Sequence, residues 1–206
     1  GIQPDALVLM LRADASPFKG LETLQKALDE ISYANKITLI VVGKNGLLEK
    51  YKKSYTLREF GWLKDDFRLA ELYQACDIFL MPSTQEAFGM LAIEAMSCGK
   101  PVLALNGTAL PSVINSPQCG LAVDKEEYSA TLQAWIDDAE ERRKRGKASL
   151  DYALQCYSHE RYIDGMLNIY DDVMRHFVPS INQYTILSQL NYVTELNENI
   201  SSMLKT

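Results

Sequence analysis

Short apolar runs alternate with helical patterns along most of the chain. The runs are continuous, as expected for parallel strands buried on both faces, and cover residues 6–10, 37–42, 77–81, 102–105 and 121–123. Between them, apolar residues recur at steps of three and four, as in Leu21, Leu24, Leu28 and Ile31, or Leu69, Leu72, Tyr73 and Cys76. This alternation predicts an α/β fold built on a Rossmann-like, doubly wound parallel sheet.

Several residues of chemical interest come just after the predicted strands. They are Arg12, Gly43, Trp62, Ser83 and Asn106. In a doubly wound sheet the carboxyl ends of the strands meet at one edge, and ligands bind outside that edge. We therefore expect one site there. Trp62 and Leu63 are candidates to flank a nucleotide base, although ordinary packing of Trp62 is an equally good interpretation.

The segment 82–96, Pro-Ser-Thr-Gln-Glu-Ala-Phe-Gly-Met-Leu-Ala-Ile-Glu-Ala-Met, predicts the end of a strand, a turn and the start of a helix. Pro82 has no N–H to donate and ends the strand. Gly89 lacks a Cβ, so the backbone amides at the helix start can approach a ligand closely, at the positive end of the helix dipole. The amides of Gly89, Met90 and Leu91 thus suit a phosphate group.

Two glutamates flank this helix start. Glu94 lies about a turn and a half into the helix, where its carboxylate can accept hydrogen bonds from hydroxyls beside a bound phosphate. Glu86 lies in the preceding loop, where its carboxylate can accept hydrogen bonds from sugar hydroxyls or lie against a developing positive charge. The simpler alternative is that the spacing of the two glutamates arises by chance and that an acidic residue near a helix start only complements the helix dipole.

The order Pro-Ser-x-x-Glu-x-Phe-Gly-x-x-x-x-Glu-Ala-Met-x-Cys-Gly-x-Pro-Val, which runs from Pro82 to Val102, is highly specific. It resembles the donor-binding, C-terminal domain of retaining GT-B-fold glycosyltransferases of group 1, or family 4-like enzymes. Arg12 and Lys19-Gly20 look like the family's basic pair, and residues 120–123 and 157–170 look like its later strand and final helix. The resemblance covers about residues 5–177.

The resemblance implies transfer of a glycosyl group from a nucleotide diphosphate sugar, with retention of anomeric configuration and without a cofactor or an essential metal. It implies catalytic roles for Arg12, Lys19 and Glu86. The implied donor-binding residues are Ser83, Gly89, Met90, Leu91 and Glu94, with Trp62 and Leu63 beside the base. The family's acceptor-binding, N-terminal domain is missing here, so we expect this domain to bind donor and to transfer little by itself.

Three departures from the family pattern leave rival interpretations open. Leu11 replaces a glycine before the arginine, the interval from Arg12 to Lys19 is longer than usual, and Ser112 stands where an acidic residue is usual. One rival is an epimerase-like enzyme of the same fold that acts on the nucleotide sugar itself. The other is a non-catalytic binding or assembly module.

Composition restricts the class of partner and compartment. The net charge of −6 argues against a nucleic-acid binder, and no apolar run reaches the roughly 20 residues that cross a bilayer. Four widely spaced cysteines in apolar settings favour free thiols in a reducing, cytoplasmic compartment. Peripheral membrane association of the full-length enzyme, through the other domain, is a further expectation. With two separate histidines we predict no metal site.

We expect two regions along the chain. Residues 1–177 form the donor-binding domain, and residues 178–206 form a helical extension. In the extension, apolar residues recur at helical spacing and predict a stripe that needs a partner: Ile186, Leu190, Val193, Leu196, Ile200 and Met203. That partner is the same domain, the missing domain or another copy of the chain.

Overall fold

The computed structural model describes Ile2 and residues 6–176. The chain divides into two compact units, Gly1–Arg161 and Tyr162–Thr206, and the fold below is that of the first. The predicted boundary between residues 177 and 178, and the predicted extension 178–206, lie outside the described residues and stay predictions.

The first unit contains a six-stranded, fully parallel sheet. Its strand order is β3-β2-β1-β4-β5-β6. The strands are β1 (Leu7–Ala13), β2 (Ile37–Gly43), β3 (Thr56–Glu59), β4 (Ile78–Met81), β5 (Val102–Leu105) and β6 (Leu121–Val123). This is the doubly wound topology that the alternation predicted, and five strands coincide with the apolar runs.

Seven α-helices are present in the described residues. They are α1 (Leu21–Glu30), α2 (Asp66–Ala75), α3 (Met90–Ser97), α4 (Leu110–Val113), α5 (Tyr128–Asp137), α6 (Ala139–Tyr157) and α7 (His159–His176). Most residues of α7 belong to the second unit. None of the helices in this part of the chain is both long enough and apolar enough to span a bilayer. On α6, Glu141 forms ion pairs with Lys144 and Arg145, three and four residues further along the helix.

Two apolar clusters cover the two faces of the sheet. Alternate residues of β1 supply both, because successive side chains of a strand point to opposite faces. Leu9 and Leu11 join a cluster with α1 and α5, whereas Val8 and Met10 join a cluster with α2, α3, α4 and α6. The helices therefore lie on both sides of the sheet, as buried parallel strands require.

The strand order reverses between β1 and β4, and the loops that leave these strands are fastened together. The Thr84 amide, after β4, donates a hydrogen bond to the carbonyl oxygen of Phe18, after β1, at 2.8 Å. Gly20 has φ 67° and lies so close to Pro82 that a Cβ there would overlap the Pro82 carbonyl oxygen. A crevice at such a switch point is the usual ligand site of this topology.

Candidate functional site

A cavity of about 520 Å³ opens at this switch point. Most of the predicted site residues line it, together with residues that the sequence analysis did not single out. The first group comprises Arg12, Lys19, Trp62, Ser83, Glu86, Gly89, Met90, Leu91 and Glu94, and the second includes Asp14 and Phe88. The expectation of one shared edge is therefore met by Arg12, Trp62 and Ser83.

Three predicted residues lie outside this cavity. Gly43 ends β2 at the same edge but does not line the cavity, and Asn106 borders a separate hollow, where its side-chain amide donates to Asp124. Leu63 packs its side chain against the apolar cluster under α2 and α3. A contact between a nucleotide base and the backbone of Leu63 stays a prediction.

The start of α3 presents free backbone donors to the cavity. Within the described residues, no group accepts a hydrogen bond from the amides of Gly89, Met90 or Leu91, as expected for the first turn of a helix. Gly89 has φ 91°, and a Cβ there would lie 2.6 Å from the Leu110 side chain. The left-handed backbone conformation thus favours glycine here, in addition to the ligand access that the sequence suggested.

Two cations face the cavity, Arg12 from the end of strand β1, before Ala13, and Lys19 from the loop that follows β1. The guanidinium carbon of Arg12 lies 5.0 Å from the centre of the Trp62 ring, which is cation–π geometry. Trp62 is 56% exposed, so ordinary core packing does not account for it. Lys19 ends a short 3-10 turn, Pro17–Lys19, and its ammonium lies 3.0 Å from Glu86 Oε2.

The two glutamates of the motif are held by different partners. Glu86 pairs with Lys19, which the resemblance assigned to the same site. Glu94 accepts a hydrogen bond at 2.9 Å from the hydroxyl of Tyr73 on α2. Burial and the nearby Glu94 charge raise the pKa of Tyr73 well above its usual value, so its hydroxyl stays protonated and donates.

Sequence reasoning placed Tyr73 among the apolar residues of a helical pattern and missed its contact. The signal was available in part, because a buried tyrosine hydroxyl almost always has a polar partner. Glu94 lies 21 residues further along the chain, however, and only the packing of α2 on α3 shows that it is that partner.

In the part of the chain that the structure describes, no three His, Cys, Asp or Glu side chains are grouped closely enough to hold a metal ion. His159 begins α7 and His176 ends it, far apart along one helix. The absence of a metal requirement stays a prediction about the reaction.

Comparison with known proteins agrees with the fold and the motif. The family model described as Glycosyl transferases group 1 matches residues 2–151. A D-inositol 3-phosphate glycosyltransferase from Stackebrandtia nassauensis is 29% identical over 195 residues, which cover 85% of this chain and 44% of the relative. The chain thus spans less than half the length of the curated relative it matches.

Two solved structures have the same fold. Sucrose-phosphate synthase from Thermosynechococcus elongatus is 25% identical with a TM-score of 0.72, over 84% of this chain and 47% of that one. HepE from Anabaena, solved in complex with UDP and glucose, is 20% identical with a TM-score of 0.68, over 82% of this chain and 49% of that one. The chain therefore belongs to the glycosyl transferases group 1 family, whose C-terminal, Rossmann-like domain it forms.

Proposed function

We propose that this domain binds a nucleotide diphosphate sugar and that, completed by an acceptor-binding domain, it transfers the glycosyl group with retention of configuration. One observation carries the proposal. A single cavity brings together two cations, the free amides of a helix start and the two glutamates of the motif. Cations and amides suit a diphosphate, and carboxylates suit the hydroxyls on either side of it.

The diphosphate lies against Arg12, Lys19 and the α3 amides in this proposal. When the bond between the anomeric carbon and the diphosphate oxygen breaks, its electron pair moves to that oxygen, and negative charge grows on the leaving group. Fixed donors aimed at growing charge lower the barrier because they need little reorganisation during the reaction. These groups allow departure of the diphosphate without a metal.

The carboxylates divide the rest of the donor between them. Glu94 accepts hydrogen bonds from the ribose hydroxyls, and Glu86 orients the donor sugar close to the anomeric carbon, where positive charge develops. We assign neither of them as a nucleophile. The exposed face of Trp62 and the adjacent backbone lie beside the base, and the UDP bound to Anabaena HepE makes a uridine nucleotide the first donor to test.

Calorimetric titration with UDP, GDP, ADP and their common sugar conjugates tests donor binding. We expect heat with one nucleotide, and at least about tenfold weaker binding for Arg12→Met and Glu94→Gln, because each loses a charge-assisted hydrogen bond. Lys147→Met and Glu30→Gln are matched controls, since they remove the same charges from exposed positions outside the cavity. Equal loss in the controls, or silence across the panel in the unaltered domain, refutes the proposal.

The reaction itself needs the complete enzyme. With the acceptor-binding domain present, the anomeric configuration of the product, read by NMR, is expected to match that of the donor. An inverted product refutes retention. Release of the free nucleotide without any transfer to an acceptor would favour the epimerase-like alternative, and donor binding without either reaction would favour the binding module.

A further inference from the structure

Tyr73 differs from the other deeply buried tyrosines of the first unit in what its hydroxyl contacts. The hydroxyls of Tyr51, Tyr55 and Tyr128 each donate to a backbone carbonyl, of Gln25, Leu28 and Leu103 respectively. Tyr73 instead donates to a carboxylate that borders the cavity, Glu94 Oε2, at 2.9 Å. Its hydroxyl therefore satisfies a group of the candidate site and no main-chain acceptor.

The ring of Tyr73 is itself fixed in place. It is 2% exposed, it belongs to the apolar cluster under α2 and α3, and it meets Phe79 edge to face with ring centres 5.3 Å apart. A phenol held in this way presents its hydroxyl at one point. Glu94, in contrast, is half-buried and has a long side chain with several rotamers, so its carboxylate needs a partner to hold it in one position.

From this geometry we infer that Tyr73 is a positioning residue for ribose recognition. It holds one carboxylate oxygen of Glu94, so that the remaining acceptor sites of the carboxylate are preset toward the cavity. The inference rests on the proposed function, in which Glu94 binds the ribose hydroxyls. It goes further in stating that discrimination for the ribose depends on a residue of α2 that does not itself line the cavity.

Charge keeps the arrangement in one protonation state. Burial and the Glu94 carboxylate both raise the pKa of the Tyr73 hydroxyl, because each favours the neutral phenol. The Arg12 guanidinium lowers this pKa, with a smaller effect. The net result is a raised pKa of Tyr73, so that its hydroxyl stays protonated and donates throughout the neutral range. The hydroxyl holds the carboxylate without exchanging a proton with it.

The test compares Tyr73→Phe with Tyr128→Phe. Both variants delete one buried hydroxyl and keep the ring, but Tyr128 lies in α5 and its hydroxyl contacts Leu103 O at 3.2 Å, on the other face of the sheet. Each protein is titrated with UDP, GDP and ADP, and with the 2′,3′-dideoxy form of each. The quantity of interest is the ratio of the two dissociation constants, because a general loss of stability lowers both affinities together and leaves the ratio unchanged.

We expect the unaltered domain to prefer the ribonucleotide, and Tyr73→Phe to reduce this preference about five- to tenfold. This is the range of an ordinary hydrogen bond and less than that of a direct hydrogen bond to a charged group, because Glu94 keeps its own contact with the ribose. Tyr128→Phe should keep the full preference. In a Glu94→Gln background, Tyr73→Phe should change the ratio no further. An unchanged ratio in Tyr73→Phe overturns this inference alone.

The outcomes for the unaltered domain separate the inference from the proposed function. If the domain binds a nucleotide but shows no preference for the ribose, Glu94 is not a ribose contact and the inference falls, while donor binding stands. If it binds none of the nucleotides, the proposed function falls and takes the inference with it.

Discussion

Replacing Glu86 with glutamine is expected to strengthen the binding of free UDP. Without ligand, the Lys19 ammonium is paired with Glu86 Oε2 at 3.0 Å. A diphosphate that takes Lys19 must first compete with this carboxylate, and it must also approach the negative charge of Glu86. Glutamine keeps the size of the side chain and removes both costs.

The size of the effect follows from the exposure of the pair. The side chains of Lys19 and Glu86 are 34% and 18% exposed. At a surface-like dielectric the gross attraction at this distance is several kcal/mol, but desolvation and screening reduce the net value for partly exposed pairs to about 1 kcal/mol. That corresponds to roughly fivefold tighter binding of UDP.

The assay is calorimetric titration of the Glu86→Gln domain with UDP and with UDP-glucose, at low and at high salt. The gain should apply to UDP and shrink at high salt, because screening weakens the pair in the unaltered protein. It should be smaller or reversed for UDP-glucose, since the proposed contact between Glu86 and the sugar is lost. Glu141→Gln is the matched control, because Glu141 pairs with Arg145 at 2.7 Å on α6, outside the cavity.

The sign of the change makes the reasoning refutable. Glu86 and Glu94 belong to one motif, yet neutralising Glu86 should strengthen the binding of UDP, whereas neutralising Glu94 should weaken it. If Glu86→Gln weakens the binding of UDP or leaves it unchanged, the Glu86 carboxylate does not restrain Lys19 in the free protein. An equal gain in Glu141→Gln would mean that net charge alone is responsible.

Three further predictions concern stability and the site. In urea titrations, Gly20→Ala should lower the free energy of unfolding by about 1–3 kcal/mol more than Gly46→Ala does. Both glycines have positive φ, but only a Cβ at Gly20 would overlap Pro82. Equal losses of stability in the two variants would contradict the close approach of Gly20 to Pro82. Burial raises the pKa of the Cys76 thiol from 9.0 to about 12. The contribution of the buried neutral thiol to the free energy of unfolding is therefore complete below pH 9, and it declines by about 1.4 kcal/mol per pH unit between pH 9 and about 12. Cys76→Ala should flatten that decline, and an unchanged slope of stability against pH would refute this. In Trp135→Phe, Trp62 is the one remaining tryptophan, and it lies at the cavity. The fluorescence of Trp62 should change on UDP titration in proportion to binding. Unchanged fluorescence despite measurable heat of binding would place the nucleotide away from Trp62.

The sheet was predictable where burial dictated the sequence. Strands covered by helices on both faces must be apolar throughout, so five of the six strands stand out as continuous runs. The strand β3 is different, because it lies at the edge of the sheet and its residues alternate between exposed and partly buried, with Thr56, Arg58 and Glu59 among four positions. A short edge strand of this kind has too little apolar signal to be recognised from the sequence.

The candidate site was predictable as a set of residues but not as a set of contacts. The helix start and the residues after the strands follow from local sequence, and topology alone brings them to one edge. The partners of the two motif glutamates come from elsewhere: Lys19 is 67 residues from Glu86, and Tyr73 is 21 residues from Glu94. No local pattern encodes these separations. The side chain of Leu63 illustrates the converse, since the sequence placed it beside the base with Trp62, whereas it packs, partly buried, against the apolar cluster under α2 and α3.

The contacts around the motif explain why its two carboxylates can do different work although they are eight positions apart on one segment. Glu86 is paired with a charge that the proposed ligand also needs, so we expect donor binding to break this pair and to release the carboxylate beside the sugar. Glu94 accepts from a neutral phenol that does not bind phosphate, so we expect this hydrogen bond to survive donor binding and to preserve the direction of the carboxylate. We therefore expect the first arrangement to make donor binding sensitive to salt and to the sugar, and the second to make it sensitive to the ribose. Measuring both sensitivities in one domain would separate the two roles without any need for the acceptor.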